Sequence, residues 1–395
     1  MHDMKPPNRL MVVAAVATSL LVAVAASGSA GARDAGRSPR RMVKTRVIAP
    51  GLVYTKIVEK KVPRRTFVLL VDPAQPLTLD VALAESALPA RRVLSKVVER
   101  QGALAGINGD YSGNPVGNPV HPLAQDGELL HTSTQLGTLF AITRDESTVV
   151  WGKPQIAITL TDLDDGRSFG VDRWNQGTAA PGEITGFSSL GGTLELPPAY
   201  SCSVRLLPAG APALAQDSGV DQDFVVETAA CSEESLSRNG GIVISAAPAT
   251  DEAIQLLALT PGTPMRLHWT LGWAGVFDAV GGAPLMVEDG QPTGVCNSAC
   301  GRQPRTGIGV TADGQILLVV VDGRQPRWSL GPTIGEFAKI MQDLGAVTAL
   351  NLDGGGSSEM VVEGEVVNRP SDGHERAISN AVLVLPGEDP GEQDG

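Results

Sequence analysis

Asp-Gly pairs, among them Asp126-Gly127, Asp165-Gly166, Asp289-Gly290 and Asp313-Gly314, punctuate a chain whose apolar residues come in short runs. Asp-Gly suits the positive backbone angles of tight turns, so runs between such pairs read as strands rather than long helices. The predicted strands are 66–71, 77–84, 137–143, 241–245, 265–271, 315–321 and 347–352. Only 4% of the 395 residues are aromatic, so Val, Leu, Ile and Ala must build the core, which favours sheets with covering helices. A hydrophobic fraction of 42% with 19% charged residues excludes collagen, coiled coil and wholesale disorder, and suffices for one large domain or two ordinary ones.

Two helices stand out against the strands. Val93, Leu94, Val97 and Val98 form one stripe ending at Gly102. Thr333 and Glu336 form a capping box ahead of Phe337, Ile340, Met341 and Leu344, and Gly345 stops the run. Strand 315–321, helix 333–344 and strand 347–352 therefore read as a crossover unit long enough for parallel pairing. The expected fold class is α+β, a strand-rich mixed sheet with a few covering helices. Residues 151–248, rich in Gly, Pro, Ser and Thr, form a candidate inserted subdomain, with continuation of the sheet as the alternative.

Lys5 and Arg9 precede an apolar run, Leu10–Ala26, and a small-residue end, Ala30-Gly31-Ala32. This is the order of a secretory signal peptide, expected over residues 1–32, and the run is too short for an anchor span. Residues 33–46 read as a basic flexible leader, 47–385 as the folded domain and 386–395 as an acidic tail. A secreted, extracytoplasmic protein with no stable membrane span after cleavage follows. In an oxidising compartment the four cysteines read as disulfides, Cys296 with Cys300 across three residues, leaving Cys202 with Cys231. Zinc at the C-x3-C pair is the weaker reading, since no His lies nearby in sequence. A formal net charge of -12 disfavours nucleic acid as a partner.

The most specific segment is Asn351-Leu352-Asp353-Gly354-Gly355-Gly356-Ser357-Ser358. An apolar strand delivers an acid at its end, three glycines admit a ligand to the backbone, and two hydroxyls follow, which suits an anion or a sugar. No Gly-Lys-Ser/Thr follows, so it is not a P-loop. Downstream, Asn368-Arg369-Pro370-Ser371-Asp372-Gly373-His374-Glu375-Arg376 crowds polar and charged groups into one loop. Upstream, Asn108-Gly109-Asp110-Tyr111 ends an apolar run, Arg305-Thr306 leads into a strand, and Asp322-Gly323 reads as a plain turn.

Taken in order, these segments together with Gly281-Gly282-Ala283-Pro284-Leu285 and Ser379-Asn380 resemble the phosphodiester glycosidase family, over roughly residues 103–385. Members of that family include a glycosidase that removes N-acetylglucosamine from a sugar phosphodiester. Tyr111-Ser112 stands where the family usually has two aromatics, and the middle third matches loosely. The resemblance implies hydrolysis of the sugar-phosphate bond of a sugar-1-phosphodiester in an envelope or extracellular glycan. The leaving group is a weakly basic phosphate monoester, so cationic clamps matter more than strong acid catalysis.

Arg305 and Arg376 are the expected phosphate clamps, since a guanidinium fork matches phosphate oxygens. Asp353 is the expected nucleophile, base or electrostatic stabiliser at the anomeric carbon, with Glu375 and Asp110 competing for the second acid/base role. Asn108, Thr306, Gly354, Gly355, Gly356, Ser357, Ser358, Asn368, Arg369, Ser371 and Asp372 complete the expected substrate-binding set. No cofactor is required by this chemistry, although a divalent cation is compatible with it. Two other readings compete: a non-catalytic carbohydrate- or wall-binding module, and a metal-dependent phosphodiesterase using Asp110, Asp322 and Asp353. No G-x-S-x-G occurs, which disfavours a serine hydrolase.

Overall fold

The computed structural model describes residues 41–113, 117–144, 148–191, 195–196, 201–210, 217–231, 234–235, 241–296 and 299–387. The signal segment 1–32, leader residues 33–40 and the tail from residue 388 lie outside the described residues.

The fold is α+β and dominated by antiparallel sheets. The seven predicted strands correspond to Arg64–Val71, Leu77–Leu83, Thr138–Thr143, Ile242–Ala246, Pro264–Thr270, Ile316–Val321 and Ala346–Asn351. A central eight-stranded sheet has the order Arg41–Ala49, Leu52–Glu59, Arg64–Val71, Ile316–Val321, Arg305–Thr311, Ala346–Asn351, Leu285–Glu288, Gln291–Pro292. Its middle strands are buried on both faces. Ile316, Leu318 and Val320 pack toward a second sheet with Leu79, Ile107 and Val382, while Leu317, Val319 and Val321 pack beneath Phe337 and Met341. Two-sided burial explains why Ile316–Val321 is an unbroken apolar run rather than an alternating one. The second sheet has five strands, Glu365–Val366, Met360–Val362, Ala105–Asn108, Asn380–Pro386 and Leu77–Leu83.

The helices are α1 (Leu94–Gln101), α2 (Asp251–Leu257) and α3 (Ile334–Asp343). Gly102 closes α1 with φ 65°, a left-handed conformation that glycine adopts without steric cost. In α3 the capping box is complete: the Glu336 amide donates to the Thr333 hydroxyl at 3.2 Å, and the Thr333 amide donates to Glu336 Oε2 at 3.0 Å.

Three sequence expectations need correction. Strand Arg305–Thr311 lies between Ile316–Val321 and Ala346–Asn351 and is antiparallel to both, so α3 crosses over one strand instead of joining a directly paired parallel couple. The basic leader is not flexible over residues 41–46, because Arg41–Ala49 pairs along its length with Leu52–Glu59. The middle unit does not end at 248. Pro264–Thr270 pairs with both Ala157–Asp162 and Asp221–Ala230, within an eight-stranded sheet that curls around its own core of Trp174, Phe224, Leu267 and Trp269.

Candidate active site

Three strand ends meet at one edge of the molecule. Ala105–Asn108 runs into Gly109-Asp110, Ala346–Asn351 runs into Leu352-Asp353, and Arg305-Thr306 begins its strand. Their main chains are stitched together: the Asp353 amide donates to the Gly109 carbonyl at 3.0 Å and the Leu352 amide to the Thr306 carbonyl at 2.9 Å. Asn108 completes the join. Its carbonyl oxygen accepts from the Thr306 hydroxyl at 2.8 Å and the Glu359 amide at 3.1 Å, and its NH2 donates to the Asp353 carbonyl at 2.8 Å. A fully buried amide whose oxygen takes two donors and whose NH2 spans to a third segment is a rigid connector. Asn108 and Thr306 thus hold the frame.

Asp353 sits at the mouth of the glycine loop with its carboxyl pushed up to about 6. Burial is the main cause and the nearby charge of Asp110 adds to it, while hydrogen bonds from Ser357 and the Gly354 amide and the charge of Arg376 oppose it. Asp110 is deeper. Its carboxylate takes the His121 imidazole at 2.6 Å, the His121 amide at 2.7 Å and the Tyr111 amide at 2.7 Å. Burial nevertheless raises its carboxyl above the ordinary range. Tyr111 donates to the Ala283 carbonyl at 3.0 Å and accepts from Asn351 at 2.7 Å, closing the side of the site.

The glycines are needed by space as well as by backbone angle. A Cβ on Gly356 would fall 2.1 Å from Arg376 Nη2 and 2.2 Å from Asp372 Oδ2, so any side chain there evicts the Arg376–Asp372 pair. Gly355 has φ 64° and a Cβ there would meet the Arg324 guanidinium at 2.9 Å. Arg376 binds Asp372 Oδ2 through Nε at 2.9 Å and Nη2 at 2.5 Å, and remains partly exposed over the loop. Ser358 and Ser371 each carry a buried hydroxyl with no protein partner.

Arg305 is the unusual cation. It is 4% exposed, donates through Nη2 to the Ala299 carbonyl at 2.5 Å and the Gly301 carbonyl at 2.9 Å, and leaves a buried Nε without a partner. Among the described residues it forms no ion pair. A buried guanidinium without a carboxylate has its charge available to an anionic ligand. Of the carbonyls that aim it, Ala299 lies within the loop closed by the Cys296–Cys300 disulfide and Gly301 directly follows it, and Cys202–Cys231 is the other bridge. Asn297 and Ser298 of that loop lie outside the described residues.

The remaining expected residues support the site from behind. Asn368 donates to Asp322 at 3.1 Å and to the Ser358 carbonyl at 3.0 Å, and the Arg369 amide donates to Asp322 at 3.0 Å. Asp322, read from sequence as a plain turn, also takes the Trp328 indole N–H at 2.7 Å, so it anchors the 368–372 loop. Trp328 lies between the Arg65 guanidinium, 3.4 Å from its ring centroid, and that of Arg369 at 5.4 Å.

Glu375, expected to compete for the acid/base role, is engaged at the start of α1. Both of its oxygens are occupied by Ser95, the amide at 3.0 Å and the hydroxyl at 2.8 Å. Val93 occupies the cap position of α1 and offers no side-chain oxygen, so Glu375 satisfies an unpaired amide of the first turn from a distance. Two groups escaped the sequence reading. His121 is the buried partner of Asp110, eleven positions along the chain. Glu359 is 1% exposed, has an oxygen without a partner and is raised to about 8 by burial and by the charge of Glu375. Its only signal was an acid placed at the head of an apolar strand.

Asp110, Asp322 and Asp353 do not form a metal-ligand cluster among the described residues, and each instead takes a side-chain donor, from His121, Trp328 and Ser357 respectively. Among the described residues, the carboxylates close enough to share a cation are Asp80, Asp126 and Asp278, within 4.8 Å of one another and outside this site.

Residues 217–385, which include Arg305, the glycine loop and the 368–376 loop, match the phosphodiester glycosidase family model. Over these residues the chain is similar to the phosphodiester glycosidase family. An 83-residue stretch is 40% identical to the SPbeta prophage-derived uncharacterized protein YomE of Bacillus subtilis, covering 21% of this chain. A 68-residue stretch is 37% identical to N-acetylglucosamine-1-phosphodiester alpha-N-acetylglucosaminidase of Mus musculus, covering 17% of this chain. The chain spans 13% of the length of each of these two relatives. A solved Burkholderia pseudomallei K96243 protein described as exported shares 27% identity at a TM-score of 0.60, over 82% of this chain and 74% of that one. The matched segment supplies the cation, the acid and the glycine loop, whereas Asn108, Asp110 and His121 come from upstream of it.

Proposed function

We propose that the chain is an exported glycosidase that hydrolyses the sugar-phosphate bond of a sugar-1-phosphodiester in an envelope or extracellular glycan, releasing free sugar and a phosphomonoester. The observation that carries this reading is Arg305, a buried guanidinium with no carboxylate partner among the described residues, in the same strand-end cluster as the perturbed acid Asp353. Arg305 takes the phosphoryl oxygens, joined by Arg376 from the loop above Gly356, and the glycine loop lets the sugar approach the backbone. Asp353 acts at the anomeric carbon as nucleophile, as base toward water or as the counter-charge to a developing oxocarbenium ion. Asp110, clasped by His121, fixes the second strand end. The reaction in this form calls on no cofactor.

The test is product analysis on a panel of sugar-1-phosphodiesters. Free sugar plus phosphomonoester supports the reading; sugar phosphate plus alcohol would show a phosphodiesterase instead, and saturable binding without turnover would show a binding module.

A further inference from the structure

A groove of about 420 Å³ opens on the middle sheet, at the seam where its two ends approach each other. The seam is visible in the main chain: the Val171 amide donates to the Ile158 carbonyl at 2.9 Å, and the Asp172 amide donates to the Ile184 carbonyl at 2.8 Å. Ile158 and Val171 form a buried floor, and the walls carry Thr132, Ser133, Thr159, Asp172, Arg173 and Gln176. The volume lies within the range of small-ligand sites, roughly 300–1,000 Å³.

The walls are polar, pre-set and close to neutral. Thr132 Oγ1 accepts from the Trp174 amide at 2.8 Å and from Gln176 Nε2 at 2.8 Å, and Asp172 accepts from the Ile184 amide at 2.8 Å. Arg173 is bound to Glu183 at 2.8 Å, so its charge is cancelled, and Asp172 adds a negative one. Such a surface repels phosphate but offers hydroxyl, amide and carboxylate partners to a polyol, over an apolar floor that suits the C–H faces of a sugar ring. One wall residue of the groove is also tied to the site. Ser133 donates to the Val120 carbonyl at 2.6 Å, and the next residue, His121, holds Asp110.

We propose that this groove binds a neutral saccharide chain, the part of the glycan beyond the phosphodiester. The inference builds on the glycosidic reading of the Asp353 end, and assigns a second recognition element to the middle sheet.

Ala157 and Thr134 line the groove and are exposed, so a tryptophan at either position fills it without entering a core. Full-length protein, wild type and Asp353→Asn, is titrated calorimetrically with the neutral probes chitotetraose, cellotetraose and maltotetraose. The expected result is saturable binding of at least one probe by both proteins, weakened about tenfold or more by Ala157→Trp and Thr134→Trp, with melting transitions unchanged. Hydrolysis of a small sugar-1-phosphodiester is expected to proceed alike in wild type and both tryptophan variants. No saturable binding of any of the three probes, or binding that both tryptophan variants leave intact, overturns the inference. Groove-dependent binding without hydrolysis of any small diester would leave the inference standing and remove the glycosidase reading.

Discussion

Asn108 donates to the main-chain carbonyl of Asp353 across 2.8 Å although 245 positions separate them. The Asn-Gly-Asp turn and the glycine loop are therefore one mechanical unit. Replacing Asn108 by Ala strips the Thr306 hydroxyl and the Glu359 amide of their buried acceptor as well. Each unsatisfied buried group costs about 1–3 kcal/mol. Thermal unfolding of Asn108→Ala is expected to show a lowered Tm together with a lowered kcat, because the carbonyl side of Asp353 loses its anchor.

Asp353→Asn separates chemistry from architecture. Removing a main catalytic interaction costs about 10²-fold or more in turnover. Burial already disfavours the charged carboxylate, so the neutral amide is expected to leave Tm unchanged or higher. If Asp353 works as a carboxylate, kcat/KM of the wild type falls as pH drops below about 6, where it takes up its proton. That acid limb is expected to be missing from the residual activity of the variant; a retained limb would assign it to another group.

Arg305 is fixed by the carbonyls of Ala299, inside the disulfide loop, and Gly301, just after it, which orient a planar fork. Lysine has one charged point and cannot bind both carbonyls while facing a phosphoryl group. Arg305→Lys is expected to raise KM for a sugar phosphodiester roughly 10–100-fold, on the scale of a lost hydrogen bond to a charged group. Steady-state kinetics with unchanged KM would take Arg305 out of substrate binding.

Glu375→Ala is expected to behave as the loss of a helix cap. Its two bonds to Ser95 stabilise the start of α1, and cap removal typically costs about 0.5–2 kcal/mol. Denaturant unfolding should show that loss while kcat changes little; a kcat drop at unchanged stability would restore Glu375 to the chemistry.

The contrast between Asp353 and Glu375 shows where sequence stops informing. The strand and glycine turn around Asp353 were legible because strand, acid and three glycines are consecutive, and the capping box of α3 was legible because both partners lie within one turn. Glu375 was not, since its partner Ser95 lies 280 positions away and nothing local reveals that Val93 leaves α1 uncapped. The middle sheet was blurred for a similar reason: its boundary is set by the pairing of Pro264–Thr270 with two strands distant in sequence. Helix α2 was missed because it is seven residues long, too short for a helical apolar period to stand out behind its Thr250 cap and the first-turn acids Asp251 and Glu252.

Glu359 gives the sharpest pH test. Its carboxyl is shifted from the ordinary 4.5 to about 8 by burial first and by the charge of Glu375 second, so the folded protein holds it protonated near neutrality. A carboxyl whose folded value is raised favours the fold fully below its unfolded value. That contribution is lost progressively as pH climbs from about 4.5 through 8, because the unfolded chain releases the proton more readily. Glu359→Gln keeps the size and the neutral state at every pH. Wild-type and variant melting temperatures are therefore expected to lie close together near pH 5 and to diverge upward in pH, with the variant the more stable at pH 9. Melting curves taken at half-unit steps check this. A wild type that matches or exceeds the variant at pH 9 would mean that the Glu359 carboxylate finds a favourable partner once ionised, and that its unpartnered oxygen is not a buried liability.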